Sequence, residues 1–461
     1  MKSDIGVIGL GVMGKNIAKN MLSRGFKVSG YNRSFPKTKE LIDEKIVGFL
    51  GFEHLTEFIE SLTIPRKLFL MVPAGASVDE TIKQVLPFLE KGDIIMDAGN
   101  SYFLDTSRRA KELQEFGINY FGVGVSGGEE GALKGPSIMP SGDHSVYHHI
   151  QNILESIAAK KDNDSCCAYI GPEGSGHYVK MIHNAIEYAD MQLLAEVYLI
   201  LKSYGYNNTE ISSIFTEWNK TEVESYLVKI SAHVLKEKDD KSDEYMIDVI
   251  CDVAGNKGTG RWTSVEALQQ GYNASLLNAA YVARIMSNEI ALRKELNEVI
   301  VLQNTSKLDV EEIRKAYSLA KTIAFAQGFG LYKNASDKYA WNLDLQKIAA
   351  IFRAGCIIQA QILQEIMSSY KKDTDNILTL DVFKNRIINN FDSLKNIVIS
   401  SINSGIPAPV FTNALTYINQ ISSSHLGANM IQAQRDFFGA HTYTRKDTNV
   451  VEHHIWGDLD V

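Results

Sequence analysis

Asp4-Ile-Gly-Val-Ile-Gly9-Leu-Gly11-Val-Met-Gly14-Lys-Asn-Ile-Ala18 opens the chain with an apolar run, a glycine-rich turn and a helical pattern. It matches G-x-G-x-x-G between a strand and a helix. Gly9 permits the tight turn, Gly11 lets a pyrophosphate approach the backbone, and Gly14 lets helix and strand pack closely. The following helix start adds N–H donors and a partial positive charge. The same pattern also occurs as a plain turn in ordinary α/β folds, so its surroundings decide. Apolar β-type runs recur at residues 27–31, 67–72, 93–97 and 119–123, with helical patterns at 78–89 and 104–116. Strands separated by helices of this length predict βαβ units and a mainly parallel sheet. The expectation is a Rossmann-like α/β domain over residues 1–175, with Gly9, Leu10, Gly11, Val12, Met13 and Gly14 forming a dinucleotide-binding surface.

The end of the second strand reads Tyr31-Asn32-Arg33-Ser34. An acid here would bind a ribose 2′-hydroxyl and favour NAD. Arg33 instead offers a planar fork for a 2′-phosphate, with Asn32 and Ser34 as added hydrogen-bonding groups. The expected cofactor is therefore NADP. The bland alternative is an exposed loop arginine.

Composition narrows the class. The chain has 461 residues, 45% hydrophobic, with 47 basic and 55 acidic side chains and a net charge of −8. An acidic chain is a poor nucleic-acid binder, because phosphate backbones demand a basic face. Four cysteines without C-x-x-C spacing give neither a disulfide scaffold nor a zinc motif. No signal-peptide layout and no long apolar span is present, which predicts a cytoplasmic protein without membrane attachment.

From about residue 176 glycine and proline thin out, and 3.6-residue periodicity takes over at 178–204 and 310–333. This predicts a large all-α domain over residues 176–434. A weak internal repeat is visible: residues 204–215 resemble residues 339–352 across a two-residue gap. From Arg435 to residue 461 helical periodicity is lost in an aromatic and histidine-rich tail, whose composition argues for docking rather than fraying.

The sharpest local signal is Gly171-Pro-Glu-Gly-Ser175-Gly-His-Tyr-Val-Lys180-Met-Ile-His183-Asn184-Ala-Ile-Glu187-Tyr188. Ser175 is the expected N-cap. Lys180, His183, Asn184, Glu187 and Tyr188 fall at i, i+3, i+4, i+7 and i+8, one face of a helix. A polar stripe on an otherwise apolar helix faces water or a site. Two strand ends favour a site: Ala98-Gly99-Asn100 and Val125-Ser126-Gly127-Gly128-Glu-Glu-Gly131, since ligands bind at the carboxyl ends of parallel strands. Elsewhere, Lys257 sits between glycines and Thr259 comes next but one, while Arg284 is a lone cation on an apolar helix. A buried unpaired arginine needs an acid or an anionic ligand. With Arg435 and His441 these cations can form a phosphate pocket; individually, each is also readable as a surface charge.

Six motifs in order identify the chain as resembling the decarboxylating 6-phosphogluconate dehydrogenases over its full length. They are the Gly9 loop, Asn32-Arg33-Ser34, Val125–Gly131 as quoted, Lys180-Met-Ile-His-Asn184, Lys257-Gly-Thr-Gly-Arg-Trp262 and Gln434-Arg-Asp-Phe-Phe-Gly-Ala-His441. The resemblance implies NADP-dependent oxidation and decarboxylation of 6-phosphogluconate to ribulose 5-phosphate, in the pentose phosphate pathway and gluconate utilisation, without a metal. It implies Lys180 as general base and Glu187 as general acid. Ser126, Gly127, Gly128, His183 and Asn184 would hold the acid end and hydroxyls of the substrate, and Asn100 would lie near the nicotinamide. Tyr188, Lys257, Thr259, Arg284, Arg435 and His441 would hold the phosphate, the last two reaching the partner's site in a tail-exchanged homodimer. Val72 and Ala74 join the cofactor surface. Departures from the family pattern are Gly11 for alanine, Pro73 for lysine, Ser34 for threonine and Ala98 for glycine. Competing readings are a dehydrogenase of another β-hydroxy acid and a non-catalytic NADPH-binding protein.

Overall fold

The computed structural model describes residues 2–256, 258–297, 299, 307–371 and 374–457. These form two compact units, Met1–Asn413 and Ala414–Val461.

The first unit begins with alternating strands and helices. In order they are β1 (Ile5–Ile8), α1 (Val12–Ser23), β2 (Val28–Tyr31), α2 (Phe35–Asp43), β3 (Phe49–Phe52), α3 (Leu55–Glu60), β4 (Lys67–Leu70) and α4 (Ala76–Val85). Then come β5 (Ile94–Asp97), α5 (Phe103–Gln114), β6 (Asn119–Ser126), α6 (Gly128–Lys134), β7 (Ser137–Ser141) and α7 (His144–Ile157). The sheet order is β3-β2-β1-β4-β5-β6-β7, parallel except for β7 against β6. The chain runs outward from β1 in both directions, so the carboxyl ends of β1 and β4 flank a topological switch point. The expected Rossmann-like α/β fold is thus present.

Two strands have no counterpart among the apolar runs of the sequence. β3 is an edge strand, half exposed, with Gly51 near its centre, so it shows no such run. β7 is the other edge and reads Ser-Ile-Met-Pro-Ser; Pro140 has no N–H to donate, which an edge tolerates. The helix expected at 78–89 ends instead at Val85, and Leu86–Phe88 tightens into a 3-10 turn around Pro87.

The glycine turn behaves as the motif requires. Gly9 has φ +96°, and a Cβ on Gly14 would lie 1.9 Å from the Gly9 carbonyl oxygen. A Cβ on Gly11 would meet nothing within 4 Å, which leaves open space above that peptide.

After the short hairpin of β8 (Lys160–Lys161) and β9 (Asp164–Ser165), the unit becomes helical. The helices are α8 (Ser175–Ser203), α9 (Asn208–Trp218), α10 (Tyr226–Val234), α11 (Met246–Val249), α12 (Thr259–Gln269), α13 (Ser275–Ser287) and α14 (Ile290–Leu296). They continue as α15 (Val310–Lys338), α16 (Leu345–Ile351), α17 (Gln361–Ser369) and α18 (Asp381–Ser404), and the boundary at Asn413 falls within α19 (Pro409–Ile421). The helix expected from its periodicity at 178–204 starts three residues earlier. Its cap is Gly174, not Ser175, whose hydroxyl is buried in the first turn without a partner.

The internal repeat has a structural counterpart. α8 and α15 are each 29 residues long, ending on Tyr204 and Tyr339 as C-caps. Each is succeeded by a helix capped by a side chain, Asn207 and Asp344. Further on, Ser225 and Ala360, the residues before α10 and α17, pair with each other in an antiparallel bridge. The two long helices are locked by a buried ion pair, Lys321 Nζ to Asp190 at 2.9 Å, with Tyr317 donating to the same carboxylate. Buried Glu196 of α8 accepts from the N–H groups of Val410 and Phe411 at the start of α19. Burial pushes the Glu196 carboxyl up to about 7, against those two donors.

The second unit contains α20 (Ala428–Gly439) and a hairpin of β10 (Tyr443–Thr444) and β11 (Val451–Glu452). Helical structure therefore continues past Arg435, contrary to the loss of periodicity expected there. Gln-Ala-Gln-Arg-Asp is compatible with a helix although it carries no apolar stripe. Among the described residues no helix is long and apolar enough to cross a membrane.

Gly14→Ala forces its new methyl group against the Gly9 carbonyl. We expect a loss of about 1–3 kcal/mol, read as a lower urea midpoint than that of the parent protein.

Candidate active site

A cleft of about 920 Å³ opens over the switch point. Gly9, Gly11, Val12, Met13 and Gly14 line its floor; Asn32, Arg33 and Ser34 line one end; Val72, Pro73, Ala74, Gly99 and Asn100 line the wall. Leu10 is placed differently: its side chain is buried in the core, and its N–H donates to Asn32 Oδ1 at 2.9 Å. Asn32 also donates to the Ser34 carbonyl at 3.0 Å, so its amide ties the glycine turn to the end of β2. α1 has no side chain capping its first turn, which leaves its N–H groups facing the cleft.

Several lining residues escape a reading of the sequence. Lys37 lies in the same end of the cleft as Arg33, and Tyr102 and Trp262 line it with ring centroids 5.2 Å apart. Lys37 is findable from its position just beyond Arg33. The pairing of Tyr102 with Trp262 joins segments about 160 residues apart and leaves no local signal.

The wall of the cleft is braced from behind. Buried Asp97, at the end of β5, accepts from the Gly99 N–H, the Ser101 hydroxyl and the Tyr120 hydroxyl. Buried Arg109 lies 3.6 Å from that carboxylate and donates to the Gly75 carbonyl and to Asp79. One guanidinium thus braces both loops that flank the cleft, at residues 73–75 and 98–100.

Val125 and Trp262 also line the cleft, and Ser126, next after Val125, meets His183 on the polar face of α8. Gly124 lets α8 approach β6: a Cβ there would stand 2.8 Å from the Cβ of Lys180. Lys180 is 7% exposed, and its Nζ donates to Asn184 Oδ1 at 2.8 Å and lies 3.5 Å from His183 Nδ1. His183 is fully buried, with Nε2 3.1 Å from Ser126 Oγ and Nδ1 3.8 Å from Glu187 Oε2. Asn184 Nδ2 reaches Thr259 Oγ1 at 3.4 Å. Gly127 and Gly128 start α6 beside Ser126, both with positive φ.

The expected polar stripe is therefore assembled, with Ser126 and Thr259 brought to it. Arg284 is half-buried and stacks on the Tyr188 ring at 3.4 Å, with one N–H to the Gly255 carbonyl. It makes no ion pair among the described residues. Lys257 lies outside the described residues. Arg435 and His441 belong to the second unit, on α20 and in the turn after it.

Electrostatics separate the roles on α8. Burial lowers the Lys180 pKa below that of an ordinary lysine, against the attraction of Glu187. Burial raises the Glu187 carboxyl, against Lys180 and Arg284. Burial, with Lys180 beside it, holds His183 well below its ordinary range and so neutral, although Asn184 acts the other way. Burial thus works against the charged form of both Lys180 and Glu187 on this one helix.

A glycine turn at a switch-point cleft, with a buried lysine and glutamate on a neighbouring helix, suits a dinucleotide-dependent dehydrogenase. Residues 4–171 match the NAD binding domain of 6-phosphogluconate dehydrogenase, and residues 176–456 match the 6-phosphogluconate dehydrogenase C-terminal domain. The chain is 47% identical, over 99% of each sequence, to the NADP(+)-dependent decarboxylating 6-phosphogluconate dehydrogenase of Bacillus subtilis. It is 45% identical to the NAD(+)-dependent decarboxylating enzyme of the same organism, over 99% of this chain and 100% of that one. Among solved structures, Plasmodium falciparum 6-phosphogluconate dehydrogenase, studied in its apo form and with NADP+ or 6-phosphogluconate, superposes with a TM-score of 0.93. It shares 40% identity, covering 98% of this chain and 100% of that one. The chain belongs to the 6-phosphogluconate dehydrogenase family.

The raised Glu187 pKa has a consequence for stability. The folded protein holds this proton above pH 4.5, where the unfolded chain releases it, so stability falls as pH rises through the folded value. Glu187→Gln should therefore gain most over the parent at about pH 8 and least near pH ~4, measured by urea unfolding at both.

Proposed function

We propose that the chain catalyses the NADP-dependent oxidative decarboxylation of 6-phospho-D-gluconate to D-ribulose 5-phosphate and carbon dioxide. The observation that carries this is Lys180, buried on α8 with its Nζ on Asn184, Glu187 two turns on, and the glycine-turn cleft alongside. Residues 1–175 would bind the cofactor, 176–434 the substrate and the partner subunit, and 435–461 would exchange into that subunit in a homodimer. A cytoplasmic setting fits four free cysteines, three of them buried.

The cleft suits the cofactor. Open space above Gly11 and the uncapped start of α1 fit a pyrophosphate. Because relatives of nearly equal identity use either nicotinamide, overall similarity does not choose between them. Arg33, Ser34 and Lys37 do: they offer two cations and a hydroxyl, with no carboxylate between Tyr31 and Thr38 to repel a 2′-phosphate.

Neutral Lys180 takes the proton of the substrate's 3-hydroxyl. Bound NADP supplies the hydride acceptor. Lys180, now an ammonium, hydrogen-bonds to the new carbonyl oxygen and stabilises negative charge there as the carbon–carboxylate bond breaks. Glu187 then delivers its proton to the carbon that lost the carboxylate. Ser126, Gly127, Gly128, His183 and Asn184 would hold the acid end and hydroxyls, and Tyr188, Thr259, Arg284 and Lys257, with Arg435 and His441 from the tail of the other subunit, would take the phosphate. An ordinary lysine is an ammonium at neutral pH, so a base here requires a lowered proton affinity. The direction that burial imposes on Lys180 is the one required. The second reading, another β-hydroxy acid as substrate, is separated by whether carbon dioxide is released with 6-phosphogluconate.

Lys180→Met should retain NADP binding and lose turnover by roughly 10²–10⁴-fold, monitored by NADPH absorbance with 6-phosphogluconate; ordinary turnover would remove the base assignment. Arg33→Asp should move the ratio of kcat/KM for NADP over NAD towards NAD by at least about tenfold. An unchanged ratio would place the 2′-phosphate elsewhere.

A further inference from the structure

In the second unit one charge is hidden where little else is. Asp436 is 0% exposed and is the only buried polar or charged residue among the described residues of 414–461. Its Oδ1 accepts from the Thr442 N–H at 2.8 Å and from His453 Nδ1 at 2.9 Å. Its Oδ2 accepts from the His454 N–H at 3.0 Å and from Trp456 Nε1 at 2.9 Å. One carboxylate on α20 thus fastens the turn after that helix and the segment after β11. A buried carboxylate is costly unless donors surround it, and here four do. Burial works against ionisation, yet these donors outweigh it and hold the carboxyl well below the usual range, so the charge persists across physiological pH.

The fastened turn is an unusual one. Ala440 and Thr442 both have positive φ, +47° and +61°, a region that residues with side chains rarely adopt. His441 lies between them. Its ring packs over Gly439, where a Cβ would come within 2.7 Å of Nε2. Arg435 precedes Asp436 on the helix and donates to Gln432, whose amide in turn reaches the Thr442 carbonyl. The links from Asp436 to the turn therefore bear on the residues that set the place of Arg435 and His441.

We propose that Asp436 is a positioning residue: its carboxylate pins the turn at residues 440–442, so that His441 and Arg435 are held ready for the phosphate group of the substrate. This rests on the reading that these two residues take the phosphate in the partner subunit. A single anion buried on the tail would thereby set substrate affinity without touching substrate.

The test uses the full-length assembled enzyme and three variants, Asp436→Asn, Gly439→Ala and Arg435→Ala. The amide of the first cannot serve all four donors, and the methyl group of the second displaces the His441 ring while suiting a helix. Both should raise KM for 6-phosphogluconate by at least about tenfold, with kcat and KM for NADP within about twofold of the parent. A merely structural role would instead worsen all three parameters together or break the assembly, which size-exclusion chromatography reads. Should Asp436→Asn fail to assemble, Gly439→Ala decides. If Arg435→Ala raises KM while neither of the other two variants does, the inference falls alone. If Arg435→Ala leaves KM unchanged, the reading of the tail falls and the inference with it.

Discussion

The structure depends on bringing a lysine amine out of water. Lys180 enters the space beside β6 only because Gly124 lacks a side chain, and α8 must be long and apolar enough to hold it there. Burying an ammonium is unfavourable, so the amine gives up proton affinity instead. That one unfavourable burial is what lowers the amine's hold on its proton. The neighbouring groups are arranged around it: Asn184 accepts its hydrogen bond, His183 stays neutral beside it, and Glu187 faces it across the same helix surface. The rest of the helical region serves as ballast for this arrangement. The buried Lys321–Asp190 pair and the packing of Ile186 against Gly328 keep α8 from shifting relative to α15.

Holding the cofactor cleft in shape is a separate problem with its own solution. The glycine turn is shaped by backbone alone, but the opposite wall consists of two loops that could drift apart. Arg109 and Asp97 hold them from the protein interior, without occupying the cleft. At the other end Asn32 links Leu10 to Ser34, so the glycine turn and the segment after β2 are tied into one piece.

Much of this is legible in the sequence. The strands β1, β2, β4, β5 and β6 announce themselves as apolar runs because each is buried between neighbours. β3 and β7 do not, because edge strands tolerate glycine, proline and exposure. The polar stripe on α8 is visible because helical spacing is a local property. The supports are not: Arg109, Asp97 and Tyr120 are brought together by the sheet, and nothing in their sequence neighbourhoods declares it. Ser175 misleads for a physical reason, since Gly174 must itself be a glycine to sit against Phe103, which leaves the capping position without a side chain. At the tail, the loss of helical periodicity suggests irregular chain, whereas α20 continues to Gly439 and Asp436 gathers the 440–442 turn and the segment beyond β11 around itself.

The two 29-residue helices invite a closing comparison. Counted from their first residues, α15 places Ser318, Leu319, Thr322 and Ile323 where α8 has His183, Asn184, Glu187 and Tyr188; a lysine, Lys315, does stand in the place of Lys180. One member of the pair thus carries greasy and small neutral groups along most of the stripe where the other carries titratable and polar ones. Pairing them lets a rod with a polar stripe lean on a plainer twin of equal length, so residues on that stripe can change while the girder beside it stays the same.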